Sequence, residues 1–189
     1  KPISITGDFG LGNETRTFRS AIFAMDVTDP RNPILLWEFT DPDLGFTTSF
    51  PTVVRFGDKG VNGEWYLVFG NGPENFSGRN QTKSPKLYVV DLRTGTLKRK
   101  IEISSSIKGY LGDVIAIDPE KDYQVDTIYV GTVEMSNNPP LVGRLLRIQT
   151  MENPDPNSWV VSTLVNPQRP ITASPDVVFD ERRNIWVLF

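Results

Sequence analysis

The chain has 189 residues, with 20 Lys and Arg against 23 Asp and Glu, a formal net charge of −3, and neither Cys nor His. That composition offers no basic field for nucleic acid or an anionic membrane. It also removes thiol and imidazole chemistry and the usual zinc and haem ligand sets, so any bound metal must be held by oxygen, which favours calcium or magnesium.

No run of about 18 apolar residues is present, so no membrane-spanning segment is predicted. Helical periodicity is nearly absent. Gly and Pro, 15 each, punctuate short runs rich in Val, Ile, Tyr, Phe and Trp, which is an all-β pattern. Residues 1–20 read as the end of a preceding blade or a loop. From there the chain repeats. "AIFAMDV" (21–27) is followed by "ILLWEF" (34–39), "SFPTVVRF" (49–56) and "EWYLVFG" (64–70). "KLYVVDL" (86–92), "LKRKIEI" (97–103), "LGDVIAID" (111–118) and "DTIYVGT" (126–132) form the second round. "GRLLRIQ" (143–149), "SWVVSTL" (158–164), "ASPDVVFD" (173–180) and "NIWVLF" (184–189) form the third.

The unit, divided at 21–85, 86–142 and 143–189, returns every ~60 residues and holds four strands. Short antiparallel strands in radial repetition predict a partial β-propeller of about three four-stranded blades. Each blade must bury both faces against neighbours, and closure at six to eight blades needs roughly 360 to 480 residues. Both ends therefore read as cut, and the expected partner of the exposed blade faces is the rest of the same propeller or further copies of the chain.

Turn chemistry agrees with this division. "DVTDPRNP" (26–33) and "DLRTGTL" (91–97) carry the Asp, Asn, Pro and Gly of tight turns, and "FGDKGVNGEW" (56–65) predicts a hairpin. "GNGPENFSGRNQTKSP" (70–85) is a long polar loop, expected to be exposed. Lys98, Arg99 and Lys100 read as the wet face of a strand. Trp37, Trp65, Trp159 and Trp186 lie in strand runs and read as core between blades. Asp8, Asp41 and Asp43 read as turn formers.

"AIDPEKDYQVDTIYVG" (116–131) is the stretch with possible chemistry. Asp118, Glu120, Asp122 and Asp126 fall at positions one, three, five and nine of a loop between two strands, and Gln124 at position seven can add its main-chain carbonyl. Calcium takes six to eight oxygens at about 2.3–2.6 Å, and this spacing turns alternate side chains towards one point. Tyr123 stands at position six, where such loops prefer Gly for positive φ, and Glu120 is longer than the usual Asp or Asn. The alternative is an acidic hairpin that binds nothing.

"FAMDVTDPRNPILLWEFTDPDLGFTTSFPTVVRF" followed by "WYLVFGNG" resembles the C-terminal propeller of PilY-type type IV pilus biogenesis proteins. The match is dense at Asp26–Pro30, Leu36–Phe39, Leu44–Pro51 and Val68–Gly72, and looser beyond. "DPEKDYQVD" stands where that family carries an acidic calcium loop, and "RRNIWVLF" resembles its strand leading to a "GTGRY" segment.

The resemblance implies a secreted protein at the pilus tip or outer surface of a Gram-negative bacterium. Its expected partners are minor pilins and host or abiotic surfaces. It implies support of pilus assembly against retraction, of adhesion and of twitching motility, modulated by Ca2+ at Asp118, Glu120, Asp122, Gln124 (through its carbonyl) and Asp126. It also implies a bacterial source, so "NET", "NFS" and "NQT" are expected to carry no glycan. Two other readings compete: a quinoprotein-type dehydrogenase, whose propeller would carry cofactor and calcium centrally, and a scaffold propeller with no metal. The favoured reading is a non-enzymatic binding module.

Overall fold

The computed structural model describes residues 2–57 and 62–189. The twelve strand runs read from the sequence all form strands. Two hairpin strands, β1 (Ile3–Asp8) and β2 (Asn13–Phe18), precede them. Then come β3 (Ile22–Asp26), β4 (Ile34–Phe39), β5 (Thr52–Phe56), β6 (Glu64–Gly70), β7 (Lys86–Asp91) and β8 (Leu97–Glu102). The second half holds β9 (Gly109–Ile117), β10 (Thr127–Met135), the two-residue β11 (Leu141–Val142), β12 (Leu145–Gln149), β13 (Val160–Val165), β14 (Asp176–Phe179) and β15 (Ile185–Leu188). One 3-10 turn, Pro156–Ser158, is the helical content of the described residues. The centre of the hairpin predicted at 56–65 lies outside the described residues.

All pairing is antiparallel, and its phase differs from that of the sequence repeat. One four-stranded sheet runs β5-β6-β7-β8, and a five-stranded sheet joins β9, β10, β12 and β13, with β11 paired antiparallel to the end of β10. Each large sheet thus combines the second half of one repeat with the first half of the next. β1–β2, β3–β4 and β14–β15 remain two-stranded hairpins. The described residues therefore make one four-stranded sheet, one five-stranded sheet and three hairpins, not three four-stranded units, and no sheet closes on itself.

Strand alternation stacks these sheets. Side chains of successive residues point to opposite faces. In the β5–β8 sheet Tyr66, Val68, Leu87 and Val89 face the β9–β13 sheet, where Leu111, Ile128, Val130, Leu146 and Trp159 meet them. The alternate residues Leu67, Phe69, Tyr88 and Val90 face the β3–β4 hairpin through Trp37, Phe39 and Leu44. On the far side of the five-stranded sheet, Ile117, Tyr129 and Leu145 pack with Ile171 and against Val177 and Val187 of β14–β15. The two central sheets are buried on both faces, which explains their near-continuous apolar runs.

Two glycines set the spacing of the stack. A Cβ on Gly70 would lie 2.7 Å from the Cβ of Leu111. One on Gly131, the equivalent position a repeat later, would lie 2.4 Å from the Ile171 Cγ2. Polar contacts stitch the sheets along their edges. Ser49 Oγ donates to the Gly112 carbonyl at 2.8 Å, the Phe50 amide to Asp113 Oδ1 at 2.7 Å, and Thr52 Oγ1 to the Val114 carbonyl at 3.0 Å.

Several sequence expectations change here. Trp37 and Trp159 are buried, but Trp65 and Trp186 are 46% and 59% exposed, so they are not core between sheets. The polar segment 70–85 is anchored, with Asn71, Gln81 and Ser84 buried. Asn71 Oδ1 accepts from the Lys86 and Leu111 amides, and the Glu74 carboxylate accepts from Thr82 and Lys83. Asp41 and Asp43 do form a turn, yet both also accept from Lys100 Nζ at 3.0–3.1 Å. That lysine is engaged, not solvated.

Candidate metal centre

Residues 118–126 connect β9 to β10, and the hairpin closes at the Ile117–Thr127 pair, with the Asp126 amide donating to the Ile117 carbonyl at 3.0 Å. Inside it the chain winds tightly. Lys121 and Tyr123 adopt φ of 59° and 74°. This is the left-handed conformation that the sequence pattern requires at position six, here taken by Tyr. Asp118 holds the winding: its Oδ1 accepts from the Asp122 amide at 3.2 Å and its Oδ2 from the Tyr123 amide at 2.7 Å.

The outcome is a convergence of carboxylates. One oxygen each from Asp118, Glu120 and Asp126 lie within 4.8 Å of one another. Ligand oxygens on opposite sides of a calcium ion are about 5 Å apart, so the three fit one coordination shell. The two remaining predicted residues lie outside this group. Asp122 Oδ1 accepts from the Gln124 amide at 2.8 Å, and its Oδ2 faces Gln124 Nε2 at 3.4 Å. Gln124 Nε2 also donates to Glu152 at 3.3 Å.

Asp126 is the residue under electrostatic stress. Its Oδ2 is buried with no hydrogen-bond partner. Burial pushes its carboxyl up to about 6, reinforced by the charges of Glu120, Glu152, Asp118 and Asp122. A buried carboxylate oxygen without a donor, facing four like charges, has the chemistry of a cation ligand, and the residues present fit calcium on that ground.

Asp43 makes the contrast. Burial alone would raise it, but the Lys100 hydrogen bond and the Lys86 and Lys100 charges outweigh that and hold it below the usual carboxylate range. That acidic pair already has its cation. The 118–126 loop opens to solvent through a cleft of about 450 Å³ shared with Phe179, Arg183 and Ile185.

The sequence reading missed Glu152, which adds charge to Asp126 from the turn after β12. No spacing rule links it to the loop, because it is 26 residues beyond Asp126.

Stacked antiparallel sheets, with Asp118, Glu120 and Asp126 drawn together at one hairpin end, define an all-β sheet-stack module. No protein-family model matches the chain. It is similar to the type IV pilus biogenesis factor PilY1 of Pseudomonas aeruginosa, at 35% identity over 176 residues, which cover 90% of this chain and 13% of that protein. A PilY1 homolog of Xylella fastidiosa is 31% identical over 175 residues, covering 84% of this chain and 10% of the relative. The crystal structure of the Pseudomonas aeruginosa PilY1 C-terminal domain matches with a TM-score of 0.67 at 27% identity, over 99% of this chain and 43% of that domain.

The chain belongs to the PilY1 family of type IV pilus biogenesis factors. It spans between 9% and 14% of the length of the curated relatives it matches. Among the described residues no helix is long and apolar enough to cross a membrane.

Proposed function

We propose that the chain is a calcium-responsive segment of the β-propeller of a surface-exposed type IV pilus biogenesis factor. In this reading it supports pilus assembly against retraction, and with it adhesion and twitching motility. Its partners are minor pilins and host or abiotic surfaces, and its place is the pilus tip or outer surface of a Gram-negative cell. No catalysis is assigned to it.

Family membership supports the pilus role, and the face-to-face stacking of sheets with a hairpin at either end supports the propeller. The calcium reading is carried by one observation, the buried and unpartnered Oδ2 of Asp126 among acidic neighbours. Bound calcium supplies two positive charges at that point. Asp118, Glu120 and Asp126 would hold it, with the Gln124 carbonyl and Asp122 reaching it after a local turn. Asp118 also keeps the loop wound by accepting the amides of Asp122 and Tyr123.

The test is made in a piliated bacterium that carries the full-length protein as its only copy, with and without Asp126→Ala. Surface pili and twitching zones are scored with calcium present and after chelation. The proposal predicts that chelation alters the wild type and that the variant shows the chelated phenotype under both conditions. A variant that pilates, twitches and responds to chelation as the wild type does would contradict it.

A further inference from the structure

The acidic loop is gripped from the neighbouring sheet. The Val125 amide donates to the Arg55 carbonyl on β5 at 3.1 Å. Arg55 Nη1 donates to the Tyr123 carbonyl at 3.1 Å and to the Gly57 carbonyl at 2.8 Å. The Gly57 amide in turn donates to Gln124 Oε1 at 3.1 Å. The guanidinium carbon stands 5.7 Å from the centre of the Tyr123 ring and 5.8 Å from that of Trp65. β5 and β6 belong to one sheet and the loop to the next, so these contacts bridge the two.

Tyr123 is the residue through which the grip acts. A tyrosine at φ of 74° is strained by roughly 1–2 kcal/mol relative to its preferred conformation, and such strain persists only where surroundings over-determine it. Arg55 supplies that determination by holding both the carbonyl and the ring. The Tyr123 amide, on the other side of the residue, donates to Asp118 Oδ2 at 2.7 Å. Arg55 is therefore one residue removed from a candidate ligand.

We infer that Arg55 is the positioning residue of the cation loop, and that through Tyr123 it makes the loop's occupancy felt at the junction between the two sheets. This rests on the calcium reading of the loop. The coupling is reciprocal: a junction that raises cation affinity is itself tightened by the cation to the same factor. Arg55 acts by geometry, not charge. Removing a positive charge beside an acidic loop would, by electrostatics alone, strengthen cation binding. Loss of a positioning contact weakens it, by about 10- to 100-fold where such outer contacts have been removed.

The experiment titrates calcium into metal-stripped wild type, Arg55→Gln and Arg55→Lys, and follows amide hydrogen exchange at Val125 and Gly57 with and without calcium. The expected result is about a tenfold loss of affinity in R55Q. R55K should follow it, because lysine keeps the charge without the planar fork. In the wild type, calcium should slow exchange at both amides. Equal or tighter binding in R55Q, or full affinity in R55K, overturns the inference and leaves the calcium site standing. Calcium binding to wild type without slower exchange at Val125 and Gly57 overturns it as well, with no variant needed. A wild type that binds no calcium overturns the site and this inference together.

Discussion

Replacing Asp126 by Asn tests the electrostatics of the loop most sharply. Burial and four acidic neighbours lift this carboxyl to about 6, against about 3.9 for an unfolded aspartate. Two units correspond to roughly 2.8 kcal/mol if fully expressed. The carboxyl borders an open cleft, and solvent screening brings the figure to about 1 kcal/mol. The sign follows from which state binds the proton. A raised native value means that stability from this group is present below about pH 4 and is lost as pH rises through about 6. At about pH 7.5 in chelator, D126N should therefore be more stable than wild type by ~1 kcal/mol, or about 3 °C in Tm for a chain of this length. Near pH 4 that advantage should vanish. With calcium the order should invert, since only the wild type keeps the carboxylate charge against the cation. Calorimetric melting across pH, with and without chelator, reads all three. A D126N that melts below wild type in chelator at about pH 7.5, or whose gain is unchanged at about pH 4, would refute the reasoning.

Further predictions follow from the stack. Gly131→Ala would place a Cβ 2.4 Å from Ile171 Cγ2 and 2.7 Å from the Ile171 carbonyl oxygen. It should lose about 1–3 kcal/mol in urea unfolding, and Ile171→Ala should cost less in that background than alone, because the Cγ2 clash is then gone. Tyr66 is pushed up to about 12 by burial and by the Glu64 carboxylate, and Tyr88 is raised further by burial and Asp41. In an alkaline absorbance titration both should stay protonated through about pH 11. Their contribution to stability should hold below about pH 10 and fall as pH rises towards 12.

The strands were legible because short apolar runs stand out between turns: "WYLVF" and "LYVVD" bury side chains on both faces and so read as near-continuous apolar stretches. The phase of the sheets was not. A repeating chain can be divided at any strand, and nothing in "AIFAMDV" states whether it pairs with what precedes or follows it. β1 and β2 were missed because "ISITGD" and "NETRTF" are polar and lie outside the repeat. Of the loop, the spacing identified Asp118, Glu120 and Asp126 as convergent. It could not identify Glu152 or Arg55, which arrive through folding from the turn after β12 and from β5. Tyr123 looked like an obstacle to the required positive φ, and the sequence gives no sign that Arg55 from the next sheet would hold it there. Trp65 was read as core because its neighbours are apolar, but its own face points outwards beside Arg55.

Calcium titration by calorimetry on metal-stripped protein, beside an Asp126→Ala control, tests the central claim most directly. The expected result is saturable binding at one site in the wild type and none in the control. Absence of binding heat in the wild type, or equal binding in both, would contradict it.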